Sequence, residues 1–168
     1  MDKLQIRFHE LFAYNNGKLT RTQSIGAIKA GFVLSYKEPN GYLRVRVDGK
    51  RYTVHQVIFC MHYGYIPKMI DHINGIKDDN RIENLRVANP SQNGYNKPLG
   101  KMCKSGVKNV KWEPNMKKWQ VRLRVNKTPK IVGYYDDLEL AELVAIEARN
   151  KFHGAYANHK IKEQSCHQ

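Results

Sequence analysis

Asp71 and His72 stand side by side in the stretch IDHINGIKDDNRIENLRVANPSQNGYNK, residues 70–97, with Asn84 and Asn93 further along the same run. A carboxylate, an imidazole and a row of amides at this density suit one kind of chemistry well. Imidazole titrates near neutrality and can take a proton from water. A carboxylate and an amide oxygen are ligand types for a hard divalent cation, which accepts one or two protein ligands and takes the rest from water and phosphate. Hydrolysis of a phosphodiester needs a deprotonated water, a cation at the phosphate and a stabilised leaving oxygen. The plainer alternative is a polar turn, because Asn-rich loops are common where the chain visits left-handed conformations.

The charge of the chain bears on what such a site would meet. Among 168 residues, 29 are Lys or Arg and 15 are Asp or Glu, a net charge of +14. Residues 1–100 carry 15 basic and 8 acidic side chains and residues 101–168 carry 14 and 7, so each part is +7 and the excess is no mere basic tail. A polyanion is the natural partner, since each Lys or Arg that meets a phosphate releases counterions; a solubilising surface or a ribosome-associated protein is the alternative. Hydrophobic residues make up 41% of the chain, which argues for a folded protein. No apolar run approaches a membrane span, and MDKLQIRFHELF lacks the core of a signal peptide. Cys60, Cys103 and Cys166 are odd in number and far apart, so neither a disulfide framework nor a Cys-rich zinc site is expected. A cytoplasmic location, in a reducing interior, is the expectation.

The elements that must position these residues are legible in part. KMIDH reads as a strand, NGIKDDNRIEN as an ordered loop, LRVA as a second strand, and NPSQNGYNK as a helix opened by Asn89-Pro90 or Ser91. Upstream, Leu43, Val45 and Val47 alternate with Arg44 and Arg46, and Asp48-Gly49 predicts a two-residue hairpin turn. VHQVIFCMHYGYIP predicts a short buried helix stopped by Gly64 and Pro67. LQIRFHELFAYN fits a short helix or a strand, followed by an irregular stretch. The organisation expected is an N-terminal segment of unclear role (1–41), a first module (42–97), a Gly-, Pro- and Lys-bearing linker (98–105), a second module (106–158) and a tail (159–168).

Asp71-His72, Asn84 in RIENL and Asn93 in SQN together resemble the HNH nuclease motif of the ββα-metal fold, most closely its phage and intron-encoded homing endonuclease branch, in which DHINGxxxDNRIENLR recurs. The resemblance covers residues 42–97. It implies that His72 is the general base, that Asp71 and Asn93 hold a divalent metal, Mg2+ or Mn2+, and that Asn84 orients His72 or pins the loop. Asn74 and Asn80 then shape that loop. The last letter of the motif is Asn here, which keeps an oxygen ligand. His55, in TVHQVIF, also recurs in this branch and reads as a structural histidine.

In the second module KKWQVRLRVN alternates cleanly. Trp119, Val121, Leu123 and Val125 would face a helix in DDLELAELVAIEARNKFHG, on which Ala141, Ala145, Ala148 and Phe152 share one side. Gln120, Arg122, Arg124 and Asn126 would face outward, and Asp136 with Glu139 forms a plausible capping box. A sheet with one apolar and one basic face suits a major groove, where Arg bonds guanine; a solvated face is the alternative. The order SGVKNVKW, KWQVRLRV, IVGYYDDLELA, FHGAYAN is similar to the APETALA/ethylene-response-factor type of DNA-binding domain. That resemblance implies DNA-facing positions at Lys108, Val110, Trp112, Arg122, Arg124 and Ile131; Arg44 and Arg46 of the first hairpin are further candidates for phosphate.

The sequence therefore predicts an α+β chain: a ββα-metal module followed by a three-stranded antiparallel sheet packed on one helix. The function expected is a metal-dependent, site-specific endonuclease acting on double-stranded DNA. A regulator with an inactive nuclease module and a nuclease of low or structural specificity are the rivals. One active site per chain makes a monomer that nicks one strand the simplest expectation; cutting both strands would need a dimer or a second event.

Overall fold

The computed structural model describes residues 2–100 and 103–159, and the chain divides into two compact units between Asn89 and Pro90. Lys101 and Met102 of the expected linker lie outside the described residues, as does the tail from Lys160 on with Cys166 and His167. The fold is mixed α and β. None of its helices is long and apolar enough to cross a membrane, among the described residues.

In the first unit, α1 (Lys3–Leu11) runs directly into β1 (Phe12–Asn15), so the N-terminal stretch is a helix and then a strand. Part of the expected irregular stretch is instead a strand, β2 (Lys18–Arg21), antiparallel to β1. Asn16 and Gly17, at φ 45° and 82°, make the left-handed two-residue turn that matches strand twist. A Cβ at Gly17 would lie 2.7 Å from the backbone nitrogen of Arg81, so the turn seats closely against the loop that follows His72. The next hairpin, β3 (Arg44–Val47) and β4 (Lys50–Thr53), turns at Asp48-Gly49 as its sequence predicts. Thr53 and Gln56 then cap α2 (Val54–Tyr63), which ends on left-handed Gly64.

Phe8, Leu11, Phe12 and Leu19 join Val45, Val47, Val54, Val57, Ile58 and Leu85 in one core. The N-terminal segment, through α1, β1 and β2, thus belongs to the body of this unit. Apolar side chains at i, i+3 and i+4 on α1 need a partner face, and α2 provides it: the Gln5 amide donates to the Met61 carbonyl at 2.9 Å. Two short strands complete the unit, β5 (Ile70–His72) and β6 (Leu85–Val87), paired antiparallel with Asp71 opposite Arg86.

The second unit opens with the six-residue helix α3 (Pro90–Tyr95). Its sheet is three-stranded and antiparallel in the order β7 (Val110–Glu113), β8 (Lys118–Val125), β9 (Thr128–Tyr135). Across one face lies α4 (Leu138–His153), with Ala141 and Ala145 fully buried against Val110 and Val121, because small side chains let helix and sheet approach. The cap of α4 is Asp137, whose carboxylate accepts from the Leu140 amide at 2.7 Å, one residue later than the pattern suggested; Asp136 pairs instead with Lys118.

Candidate active site

Asp71 and His72 are 5% and 4% exposed at the end of β5. Two adjacent polar side chains held out of water at a strand end are costly unless each is partnered, and each is. The Arg86 guanidinium reaches across the β5–β6 ladder and donates to Asp71 Oδ2 from Nε at 2.9 Å and Nη2 at 2.7 Å. His72 Nε2 lies 3.0 Å from Asn80 Oδ1. The Asn80 amide is oriented by its other end, where Nδ2 donates to the Asp78 carbonyl at 3.4 Å. With its oxygen toward His72, the Asn80 amide suits an imidazole that donates from Nε2.

Burial pushes the pKa of His72 below that of a free histidine, against the opposing pull of Asn80 and of the Asp71, Asp79 and Asp78 carboxylates. His55, on the first turn of α2, stands edge-on to His72 with ring centroids 5.1 Å apart, and Tyr42 lies 5.2 Å from His55 and 5.9 Å from His72. Burial foremost, and then the neighbouring His72, push His55 down to about 3, so it is neutral in any working buffer. Its Nε2 meets Thr53 Oγ1 at 3.0 Å. His55 is thus a rigid uncharged wall against the His72 ring.

Asn84 does different work from Asn80. Its Oδ1 accepts from the Asn74 amide at 3.0 Å, and its Nδ2 donates to Asn74 Oδ1 at 3.0 Å and to the Asp79 carbonyl at 2.7 Å. Between those anchor points Asp79 takes two bonds from Arg81, both at 2.8 Å, and one from Asn74, which hold its carboxyl down near 2. The N-terminal segment clamps the same loop from outside: Lys37 pairs with Asp78 at 2.6 Å, Lys77 donates to the Asn40 carbonyl, and Tyr14 accepts from the Ile82 amide.

The two amides should therefore separate in experiment. Asn84→Ala is expected to lower unfolding free energy by about 2–3 kcal/mol, since a buried residue loses three bonds to the loop. Asn80→Ala also takes a partner from a buried group and is expected to lower the midpoint, but to slow turnover more than Asn84→Ala does, because it releases the imidazole itself. Urea titrations beside cleavage rates would check both; equal behaviour would mean that the loop and the imidazole are not separately held.

Asp71 is a carboxylate beside the imidazole, the donor type that a hard divalent cation takes. Among the described residues no group of three His, Cys, Asp or Glu side chains lies together as metal ligands would. One carboxylate with an amide oxygen is the sparse donor set that magnesium-like ions accept. Asn93, the other expected ligand, is on α3 in the second unit.

The expected DNA-facing residues divide in two. Trp112 is half-exposed, its ring 5.0 Å from that of Trp119, and Arg122, Arg124 and Ile131 are exposed. Val110 does not face outward: it is 3% exposed and lies in the core under α4. Lys108 turns inward too, its ammonium donating to the carbonyls of Tyr95 and Lys97 at 2.8 and 2.6 Å, while burial, and then Arg149, lower its pKa to about 8. Gln120 is 4% exposed where the alternation puts it on an open face, because Tyr134 on the neighbouring strand accepts its amide at 2.9 Å. Arg46 is exposed opposite Arg51, and Arg44 pairs with Glu38 at 2.9 Å. Arg86 and Tyr42 are site neighbours that sequence reasoning did not assign, and Asn80, expected only to shape the loop, is the amide that meets the imidazole. Arg86 had a signal, as it falls opposite Asp71 once IDH and LRV are paired as a hairpin.

Residues 52–95, from the end of β4 to α3, match the family of HNH endonucleases, and Asp71, His72, Asn80, Asn84 and Arg86 lie inside that match. The chain thus carries an HNH endonuclease domain, which marks a nuclease, implies DNA as substrate and belongs to a class that generally uses a divalent metal. It is also 30% identical over 96 residues to Protein 3.8 of Escherichia phage T7, an alignment that covers 56% of this chain and 78% of that protein, and it belongs to the same family as that protein. No solved structure matches the chain. The family match ends at residue 95, before the three-stranded sheet.

Proposed function

We propose that this protein is a metal-dependent, site-specific endonuclease of double-stranded DNA, of the homing type, in which His72 is the general base. The observation that carries this reading is the buried Asp71-His72 pair, with the imidazole aimed by Asn80 and the carboxylate aimed by Arg86. A neutral imidazole accepts a proton from water as that water attacks phosphorus. His55 and Tyr42 keep the ring in one plane, so no rotation has to be frozen when substrate arrives. Asp71, and by the sequence pattern Asn93, would hold the divalent ion, which supplies positive charge at the scissile phosphate and the leaving oxygen. Asn84 keeps the loop that carries Asn80 in place.

Target selection belongs in this reading to the second unit, as a sheet of the APETALA/ethylene-response-factor type. Trp112, Arg122, Arg124 and Ile131 are its outward side chains. A monomer is the working form, cutting one strand per encounter.

The test is incubation with supercoiled and linear DNA at stated salt, with magnesium, manganese or chelator, and an excess of random duplex in parallel. Discrete nicks or fragments that chelator abolishes and random duplex does not suppress are expected. Uniform degradation of every duplex would remove site specificity and leave a general nuclease. Binding without cleavage in either metal would overturn the nuclease reading in favour of a DNA-binding regulator.

A further inference from the structure

The hairpin β3–β4 buries Val45 and Val47 on one face and turns Arg44, Arg46 and Arg51 to the other. That second face forms the side of an open groove of about 730 Å3, which Arg21, Phe32 and Tyr36 also line. The segment before β3 builds the groove by bridging the β1–β2 and β3–β4 hairpins. Arg21 N–H donates to the Phe32 carbonyl at 3.0 Å, Leu34 N–H to Leu19 at 2.9 Å, and Arg44 N–H to Tyr36 at 3.0 Å. Residues 31–36 are therefore held on β2 at one end and reach β3 at the other.

Arg21 is the unusual member. Its side chain is 8% exposed, and its guanidinium carbon lies 4.8 Å over the Phe12 ring. Its Nε is buried with no hydrogen-bond partner, and no carboxylate pairs with it among the described residues. Burying a guanidinium without a counter-charge is costly. The other arginines around it do not relieve that cost. Glu38 is the single acid among the lining residues and it is engaged by Arg44. Four guanidinium groups thus face one carboxylate, and Phe32 and Tyr36 are 49% and 70% exposed at the rim.

We propose that this groove grips the phosphodiester backbone of the DNA substrate, with Arg21 as its buried anchor, Arg46 and Arg51 as outer contacts, and Phe32 and Tyr36 against the sugars. Guanidinium forks match phosphate oxygens in pairs, and a phosphate brings the counter-charge that Arg21 lacks. The identity of the ligand as DNA rests on the endonuclease reading. The grip is sequence-independent, because phosphates carry no base information, and it gives residues 1–41 a function beyond packing. It differs in that respect from Arg122 and Arg124 of the second unit.

The test measures affinity of the full-length protein for labelled target and random duplexes across a salt series, with chelator present to prevent cutting. Arg46→Ala/Arg51→Ala changes only exposed side chains, so the fold is retained. The variant is expected to lose about two units from the slope of log affinity against log salt, equally for both duplexes. Arg21→Met is expected to weaken binding several-fold while its thermal midpoint holds or rises, since a buried unpaired charge is removed. An unchanged salt slope in the double variant would overturn the proposal. So would a lower midpoint with unchanged affinity for Arg21→Met, or competition by polyglutamate as strong as by DNA. Cleavage by wild type and its loss in His72→Ala, read in the same preparations with metal, decide the nuclease reading separately; a wild type that binds no DNA would overturn both.

Discussion

His72→Ala is expected to reduce metal-dependent cleavage by about a hundred- to ten-thousandfold, the range that a positioned general base contributes, with DNA affinity in chelator unchanged. The asymmetry follows from where the side chain sits. At 4% exposure, walled by His55 and held through Nε2 by Asn80, the ring has no surface to offer a bulky ligand such as a duplex. What it can offer is a ring nitrogen as base, and burial lowers the pKa of that ring. Asn80→Ala should fall between the variant and wild type in rate, because it frees the ring without removing it. His55→Phe preserves a flat uncharged wall and should cost less than His55→Ala. Cleavage that survives His72→Ala would place the base elsewhere, and the Asp71-His72 pair would revert to a polar turn.

The second large effect is on stability as well as on rate. Asp71 and Arg86 form an ion pair at 2.7 Å whose side chains are 6% and 16% exposed. Removing one partner from a buried pair leaves an uncompensated charge and typically costs about 3–5 kcal/mol. Arg86→Met is therefore expected to lower the urea midpoint sharply. Asp71→Asn should do the same and also abolish cleavage, since an amide is a poorer ligand for a hard cation. The double variant should recover part of the lost stability, because no lone charge remains, while cutting stays absent. Equilibrium unfolding of the three variants, with cleavage assayed well below their midpoints, separates the contributions. A cost under about 1 kcal/mol for Arg86→Met, the value usual for exposed pairs, would show that the pair is solvated and that Arg86 does not aim the carboxylate.

Local order was legible from the chain alone wherever neighbours in sequence are the partners in space. The Asp48-Gly49 hairpin follows from alternation and from a turn that needs positive φ. The α2 helix follows from its apolar run and from the stop at Gly64; the Thr53–Gln56 cap that opens it emerged with the structure. The strand, loop, strand and helix around Asp71 and His72 follow in the same way, and so do Ala141, Ala145 and Ala148 on one side of α4. The Asn16-Gly17 turn carried the same kind of signal as Asp48-Gly49. It lacks strong alternation on both flanks, and β2 becomes a strand only because Leu19 reaches a core built by α1 and α2.

Partnerships between residues far apart were decided by the tertiary structure. Asn74, Asn80 and Asn84 are chemically alike, and only the path of the loop sends one to the imidazole and locks the other two together. Lys108 reads as an exposed cation until the carbonyls of Tyr95 and Lys97 end beside it, and Val110 reads as outward until α4 covers that face. Arg21 lies in a polar-looking segment, yet the bridge from β2 to β3 encloses it. The physical reason is common to all four cases. Propensity and periodicity act within a few residues, whereas burial and counter-charge depend on which distant segments meet, and those determine what a given Asn, Lys or Arg can do.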